Sequence, residues 1–286
     1  MKRLLSFKYG IKKCQMLFSM RFNQSNSFYD SQSGSYIKSP TSGIRLHGLN
    51  YTNYDDKVNK AIKETLSTIE ITLPMALDYI NKGTIEHFIT NITPCQVISQ
   101  VSSLSDLDNF ALSPIRFPHG IILEMPINSS SSDIMHLNNI ITQAKTLGLL
   151  TQIKYKTRLN QRITSKPITI LDEINIIAKF ADIGIDHIIY TVTDEVDDYT
   201  CQTLIEECFG IDVCGSPMTD RLVIQGNSEI CSLAIQLGVT RLLVSTGKSD
   251  DRKGQNYDPR YASIISIDEA KDIIKENNKE LIVDLI

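Results

Sequence analysis

The sequence lacks the short motifs that would assign a binding site directly. Its six cysteines form no CxxC pair, and no GxGxxG turn follows its first strand-like segment. These absences leave a cysteine zinc site and a dinucleotide-binding turn without support. In a chain of 286 residues that is 42% hydrophobic, the core needs no disulfide framework. We therefore expect buried free thiols in a reducing compartment.

Charge and apolar runs exclude two further classes of partner. The formal net charge is −4 and the sequence pI is about 5.8, so no basic field points to nucleic acid or to an anionic membrane surface. No apolar run approaches the roughly 20 residues of a membrane-spanning helix. We expect no nucleic-acid partner and no membrane span.

The first forty residues are short of acidic side chains. Met1 to Ile37 contains six lysines and arginines before its first acidic residue, Asp30, and a stretch rich in Ser, Asn and Gly follows at 23–42. This composition is typical of a mitochondrial transit peptide, although a disordered basic tail that is not a targeting signal has the same composition. We predict a disordered or loosely attached N-terminal extension over 1–41, a folded domain over 42–286, and a location in the mitochondrial matrix.

Strand-like and helix-like segments alternate through the rest of the chain. β-branched runs separated by segments of helical periodicity indicate parallel strands joined by crossover helices. Helices are predicted over 55–66, 133–147 and 169–183 among others, with Asp133 as an N-cap. Glycines at three helix-to-strand joints, LGLLTQI, IGIDHII and LGVTRLL, favour helix ends with positive φ. Eight such units fit a single-domain (β/α)8 barrel, an α/β fold, and an open doubly wound sheet shares the rhythm. The predicted strands are 44–46, 68–73, 95–101, 120–125, 150–155, 187–192, 221–224 and 241–245.

Five segments of the chain carry a family resemblance: TQAKTLGLLTQIKYKT, INIIAKFADIGIDHIIYTVTDE, GNSEICSLAIQLGVTRLLVS, STIEITLP and IRLHGLN. They resemble the hydroxymethylglutaryl-CoA lyase family, a metal-dependent barrel of leucine breakdown, and the resemblance as a whole extends over about two-thirds of the chain. The resemblance implies a barrel whose divalent cation polarises substrate oxygens while an arginine stabilises the enolate. It implies catalytic roles for Arg45, Glu70 and Asp194.

The same resemblance shows where the metal ligands are missing. The family takes two histidines from an HxH pair on its seventh strand, but this chain has no histidine after His187, and Asp220 and Leu222 stand in those places. Leu46 and His47 follow Arg45 where the family has its metal-binding aspartate, although a one-residue bulge would bring His47 near that place. Asn256 is a candidate for the asparagine ligand. We therefore expect no bound metal and no cofactor.

Each of these site residues also has a purely structural interpretation. The alternative for Glu70 is a buried polar residue paired with Arg45 across the barrel mouth. Asp194 fits a solvated acidic loop, and His187, which begins a strand, is expected to be structural. If the barrel still binds an acyl-CoA, top-face loop cations at Lys248, Arg252 and Lys253 are candidate phosphate contacts.

Two main functional hypotheses remain open, and an aldolase or carboxyltransferase relative with another substrate is a third. The first is a non-catalytic lyase-like barrel with a binding or structural role, possible protein partners in a mitochondrial assembly and a possible acyl-CoA ligand. The second is an active lyase that cleaves hydroxymethylglutaryl-CoA or a related 3-hydroxy-acyl-CoA, with a rebuilt Mg²⁺ or Mn²⁺ site. Barrels tolerate the loss of top-face residues because their stability comes from the packed interior, so the missing ligands favour the first.

Overall fold

A computed structural model describes most of the folded part of the chain. The described residues are 27–30, 35–38, 43–49, 65–82, 96–111, 117–125, 131–159, 168–193, 196–213, 216–218, 221–246 and 264–282. They contain twelve strands, β1 to β12, and seven helices, α1 to α7. The strands are Ser27–Asp30, Ser35–Lys38, Arg45–Leu49, Leu66–Ile71, Gln96–Gln100, Gly120–Glu124, Leu150–Lys156, His187–Thr191, Asp212–Val213, Ser216–Pro217, Leu222–Gln225 and Arg241–Ser245. The helices are Leu73–Lys82, Leu104–Ala111, Ser131–Thr146, Ile170–Ile183, Asp198–Phe209, Ser228–Leu237 and Ile267–Glu276.

Eight parallel strands close into a barrel, as the sequence predicted. Their order around the barrel is β11-β12-β3-β4-β5-β6-β7-β8, and each neighbouring pair is parallel. Each predicted strand overlaps an observed barrel strand. The register shifts between Leu46 and His47, where β3 pairs with β4, so an irregularity is present at the predicted position. The (β/α)8 fold is confirmed, and the open doubly wound sheet is excluded.

The periodicity of the strands separates two apolar regions. Alternate side chains of a strand point to opposite faces of the sheet, so one set packs under the helices and the other fills the barrel. The larger cluster lies between the strands and the helices and includes Leu46, Ile153, Tyr190 and Leu222. A smaller cluster fills the barrel interior: Leu49, Ile98, Ile122, Ile189, Val223, Leu243 and Ile264.

The three predicted glycine helix ends are observed, and the one predicted N-cap is not. Helix α4 begins after Thr169, whose side chain accepts from the Asp172 N–H in a capping box, and Gly184 ends it with φ 86°. Gly148 and Gly238 also have positive φ at the other two joints. Asp133 was expected to be the N-cap of its helix. Helix α3 instead begins at Ser131, which places Asp133 in the first turn.

Two small antiparallel pairs were not predicted. Strand β1 pairs with β2 inside the segment expected to be an extension, and β9 pairs with β10. The helix predicted over 55–66 lies almost entirely outside the described residues. No helix in the described part of the chain is long and apolar enough to cross a bilayer.

Candidate functional site

A lysine and a glutamate meet across the interior of the barrel. Glu70 lies on β4 and Lys154 on β7, and two other strands separate β4 from β7 in the barrel. Contact between them therefore requires both side chains to point inward. The Lys154 Nζ atom lies 2.7 Å from Glu70 Oε2, with 7% and 5% of the two side chains exposed. Gln100 Nε2 donates to the other carboxylate oxygen, Oε1, at 2.6 Å.

This ion pair forms part of the wall of a cavity at the carboxyl ends of the strands. The cavity has a volume of about 440 Å³, within the usual range for small-molecule sites. It lies where β4 to β7 end and where α1 and α3 begin, on the face at which barrel enzymes place their active sites. Its polar side chains are Glu70, Gln100, Ser102, Glu124, Asp133, His136 and Lys154, and its apolar ones are Leu73, Pro74, Val101, Ile122, Leu123, Leu137 and Ile140.

The arrangement suits a small amphipathic ligand. The buried ammonium of Lys154 is a hydrogen-bond donor, and Glu70 is a proton acceptor in contact with it. Apolar walls from Ile122 and Leu123 lie beside these groups. Low dielectric strengthens the interaction of a ligand with such fixed charges. The cavity therefore offers both polar recognition and apolar contact to a ligand.

Arg45 lies at the other end of the barrel from Glu70. It is the first residue of β3, whereas Leu49, the last residue of that strand, is level with Glu70 on β4. Four residues of strand separate these levels, which is roughly 13 Å. The expected pairing of Glu70 with Arg45 across the mouth is thus replaced by pairing with Lys154. Lys154 on β7, and not Arg45 on β3, contacts the Glu70 carboxylate.

The remaining predicted site residues cannot be placed relative to the cavity. Asp194, Asp220 and Asn256 are outside the described residues. The same holds for the three loop cations proposed as phosphate contacts: Lys248, Arg252 and Lys253. Their roles stay predictions.

A second polar cluster fills the amino-terminal end of the barrel. Arg45 and Arg241 are level on neighbouring strands. The Arg241 Nη1 atom lies 3.2 Å from His47 Nε2, and Thr68 Oγ1 lies 2.7 Å from His47 Nδ1. Since a guanidinium only donates, Nε2 is the acceptor and Nδ1 carries the proton. The rings of His47 and His187 meet edge to face, 5.1 Å apart.

Both imidazoles in this cluster are neutral at physiological pH. Burial lowers the pKa of His47 well below its ordinary value of 6.5, and the Arg241 and Arg45 charges lower it further. Burial also lowers the pKa of His187, with Arg241 as the next cause. The expected structural role of His187 agrees with this position.

The described residues do not fit the divalent cation that the resemblance implies. His47 and His187 are the imidazoles that come together, but the lone pair of His47 Nε2 accepts from Arg241, and two guanidiniums would repel a cation. On β11, Leu222 packs in the outer core. The inward Gln225 is buried, and its Oε1 accepts from Thr191 at 3.0 Å. Within the described residues, no group of three or more His, Cys, Asp or Glu side chains is placed to hold a metal ion.

Sequence reasoning missed Lys154 and Gln100. The signal was present in LTQIKYK, where Gln152, Lys154 and Lys156 occupy alternate positions and so share the inward face of a strand. Three polar residues on the interior face of a barrel strand are unusual, because this face is normally branched and apolar. The pattern indicates that these side chains point inward, but it does not indicate which side chain they contact.

Comparison with known proteins supports the fold and nothing finer. No protein-family model matches the sequence, and no curated protein matches it. Among solved structures, the hydroxymethylglutaryl-CoA lyase of Brucella melitensis is 11% identical with a TM-score of 0.65, covering 85% of this chain and 94% of that chain. The Bacillus subtilis lyase is 14% identical with a TM-score of 0.60, covering 85% and 89%. A type I 3-dehydroquinate dehydratase of Clostridium difficile is 12% identical with a TM-score of 0.55, covering 82% and 92%. The chain therefore has a (β/α)8 barrel like that of hydroxymethylglutaryl-CoA lyases, and its chemistry has to be argued from its own residues.

Proposed function

We propose that this protein is a divergent lyase-like barrel that binds a small metabolite at its mouth and does not perform metal-dependent acyl-CoA cleavage. The observation that carries the proposal is the Lys154–Glu70 ion pair in the wall of the mouth cavity. The Lys154 ammonium is paired with the Glu70 carboxylate, which a rebuilt metal site would need as a ligand. A binding role needs only the cavity and its fixed charges.

Electrostatics supports this proposal over a metal site at the same place. A divalent ion bound to Glu70 would lie within a few ångströms of the Lys154 ammonium, whose Nζ is 2.7 Å from the carboxylate. Like charges at such distances repel strongly where water is excluded. Gln100 also donates to the second oxygen of Glu70, which leaves that oxygen less available as a ligand.

The second candidate is an active lyase with a rebuilt Mg²⁺ or Mn²⁺ site. Three carboxylates favour it, since Glu70, Glu124 and Asp133 all line the cavity. Oxygen ligands of this kind suit hard cations. In this case the substrate would be hydroxymethylglutaryl-CoA or a related 3-hydroxy-acyl-CoA, and the loop cations outside the described residues would contact its phosphates.

The cellular setting is proposed from the sequence alone. The basic, acid-poor start of the chain supports import into the mitochondrial matrix, where the barrel would serve alone or within a protein assembly. A fluorescent protein fused behind residues 1–41 should then enter mitochondria, and a fusion with its lysines and arginines replaced by glutamine should stay outside. The same cellular distribution of the two fusion proteins would contradict the proposed mitochondrial location.

Metal analysis and turnover separate the two candidates. The purified chain, given excess Mn²⁺ and hydroxymethylglutaryl-CoA, should show neither stoichiometric metal nor cleavage, while the Brucella melitensis lyase measured in parallel serves as the positive control. Stoichiometric metal together with turnover would establish the active lyase instead.

Ligand binding in the cavity is tested with small probes. Saturation-transfer NMR with millimolar dihydroxyacetone should detect binding to the wild-type chain. Glu124→Trp, an exposed residue of the cavity lining, should block it. Asn139→Trp, an exposed residue of α3 away from the lining, should not. Binding that survives Glu124→Trp, or that is absent throughout, would count against the proposed function.

A further inference from the structure

We propose that Lys154 forms a reversible imine with a small uncharged aldehyde or ketone, and that Glu70 carries the proton during this step. The inference rests on the proposed binding function of the mouth cavity and goes beyond it, because it assigns covalent chemistry to a named atom. Neutral lysine amines attack carbonyl carbons, and burial is the feature that makes lysines suitable for this chemistry. The adjacent Glu70 carboxylate is the group that accepts the proton which the amine has to lose.

The position of Lys154 is set by rigid backbone. It is the fifth of seven residues in β7, level with Glu124 on β6 and Ile189 on β8. Its carbonyl accepts from the Met125 N–H at 2.9 Å. A reactive group on a central strand of a closed barrel is held more precisely than one on a loop.

Glu70 is placed to be the proton carrier. Its Oε2 atom contacts Lys154 Nζ at 2.7 Å, so a proton passes between them without an intervening water. Gln100 Nε2 holds the other oxygen at 2.6 Å, which keeps the carboxylate aimed at the lysine. Both side chains are almost buried, with 7% and 5% exposed, which limits the water that competes for the proton.

The atoms and charges of the step balance with these two groups alone. The Lys154 ammonium gives one proton to Glu70, and the free amine adds to the carbonyl carbon. Proton transfer from nitrogen to oxygen gives the carbinolamine. Glu70 then protonates the hydroxyl, which leaves as water, so the products are a protonated imine, the Glu70 carboxylate and one water. The reverse steps release the carbonyl compound.

Charge around the cavity selects the class of carbonyl compound. Glu70 already balances the charge of Lys154, and Glu124 and Asp133 add acidic groups to the lining. These carboxylates would repel a multiply anionic carbonyl compound, whereas they would not repel a neutral hydroxyketone or hydroxyaldehyde. The apolar walls and the volume of about 440 Å³ limit the ligand to a compact molecule.

Borohydride trapping tests the imine in the full chain. Sodium borohydride reduces the imine to a stable secondary amine, so trapping with dihydroxyacetone adds the mass of the ketone less one oxygen atom. We expect one adduct, located by peptide mass spectrometry on Lys154. Pyruvate, an anionic ketone tested at the same concentration, should be trapped more slowly.

Matched variants keep the test independent of folding. Lys154→Arg should abolish the adduct, while Lys156→Arg, two residues further on the same strand and half-buried, should leave it unchanged. Glu70→Gln should slow trapping by roughly 100-fold without abolishing probe binding in saturation-transfer NMR. Circular dichroism checks that each variant is folded.

The outcomes separate this inference from the proposed function. If dihydroxyacetone binds the wild-type chain but no adduct forms on Lys154, the imine is rejected and the binding function stands. If adducts spread over exposed lysines such as Lys179, or persist in Lys154→Arg, the imine is likewise rejected. If the probe does not bind, both proposals fall.

Discussion

Glu173 is a charged residue that lies completely buried between helix α4 and the outer face of the barrel wall. Tyr155 and Tyr190 donate their hydroxyls to its two oxygens, both at 2.9 Å, and the Arg158 N–H donates at 3.0 Å. Burial raises the pKa of both tyrosines, and the Glu173 charge raises it further. A buried charge with this many donors is satisfied, so its role is to hold the end of β7 against α4.

Removing this carboxylate should be costly. Glu173→Ala leaves two hydroxyls and one backbone N–H without their acceptor, so we expect a loss of about 2–4 kcal/mol in the free energy of unfolding, measured in urea. Glu206→Ala, at an exposed residue of α5, should change it by less than about 0.5 kcal/mol. Similar losses in the two variants would contradict the network.

Stability should fall in mild acid because of the two buried histidines. The pKa values of His47 and His187 lie below the ordinary 6.5 in the folded chain, whereas the unfolded chain takes up protons near 6.5. The unfolded state thus binds protons first, and the free energy of unfolding falls as the pH drops below about 6.5. The midpoint of thermal unfolding, measured from pH 7.5 to 5, should show this decrease.

Replacing one of these imidazoles checks the cause. His187→Gln removes a group whose protonation opposes folding, so its unfolding midpoint should depend less on pH than that of the wild type. His136→Gln, at an exposed position, should keep the wild-type slope. A slope unchanged by His187→Gln would assign the acid sensitivity to other groups.

At the scale of elements, the prediction of strands and helices succeeded where local periodicity and caps agree. The helix predicted over 169–183 is present as α4, with Gly184 after it as expected, while Thr169 is its N-cap and not its first residue. Every predicted barrel strand is present because β-branched runs bounded by glycine have few alternatives. The start of α3 was misplaced because Asp133 is acceptable both as an N-cap and in the first turn, where its charge favours the helix dipole.

The glycine joints allow a direct test at this scale. Gly238 ends α6 with φ 100°, and a Cβ there would meet nothing within 4 Å. Gly238→Ala therefore measures backbone strain alone, and we expect a loss of about 1 kcal/mol in the free energy of unfolding. Gly210, at the end of α5, has φ −70°. A Cβ there would lie 3.3 Å from the Glu207 carbonyl oxygen, a close contact but no left-handed backbone, so Gly210→Ala should cost clearly less. Equal costs would show that the left-handed conformation is not the reason for glycine at Gly238.

At the scale of the whole molecule, the ion pair at the mouth is separable from the fold. The barrel is held by its two apolar clusters, and a buried ion pair contributes little net stability once desolvation is counted. Lys154→Met alone leaves Glu70 charged and buried without its partner, so we expect a loss of about 3 kcal/mol. The double variant Lys154→Met with Glu70→Leu should lose much less, which a double-mutant cycle of urea unfolding will show. A double loss equal to the sum of the two single losses would mean that the pair is not coupled.

The candidate site was only half predictable. Glu70 was identified from its place in STIEITLP, yet its partner was expected to be Arg45. Both residues do point inward, but a parallel barrel places side chains at heights that depend on strand register, and register is not written in any one strand. Lys154 lies 84 positions from Glu70 along the chain, so their meeting depends on closure of the barrel.

The amino-acid sequence by itself determined the alternation of strands and helices and the joints between them, because these follow from local periodicity and from a few backbone preferences. Only the tertiary structure decided that the parallel strands close into a barrel and which inward side chains share a level. It placed Lys154, and not Arg45, against Glu70, and it brought His47 and His187 together among two arginines. The physical reason is that charge pairing across a barrel depends on the heights and the spacing of strands that are distant in sequence.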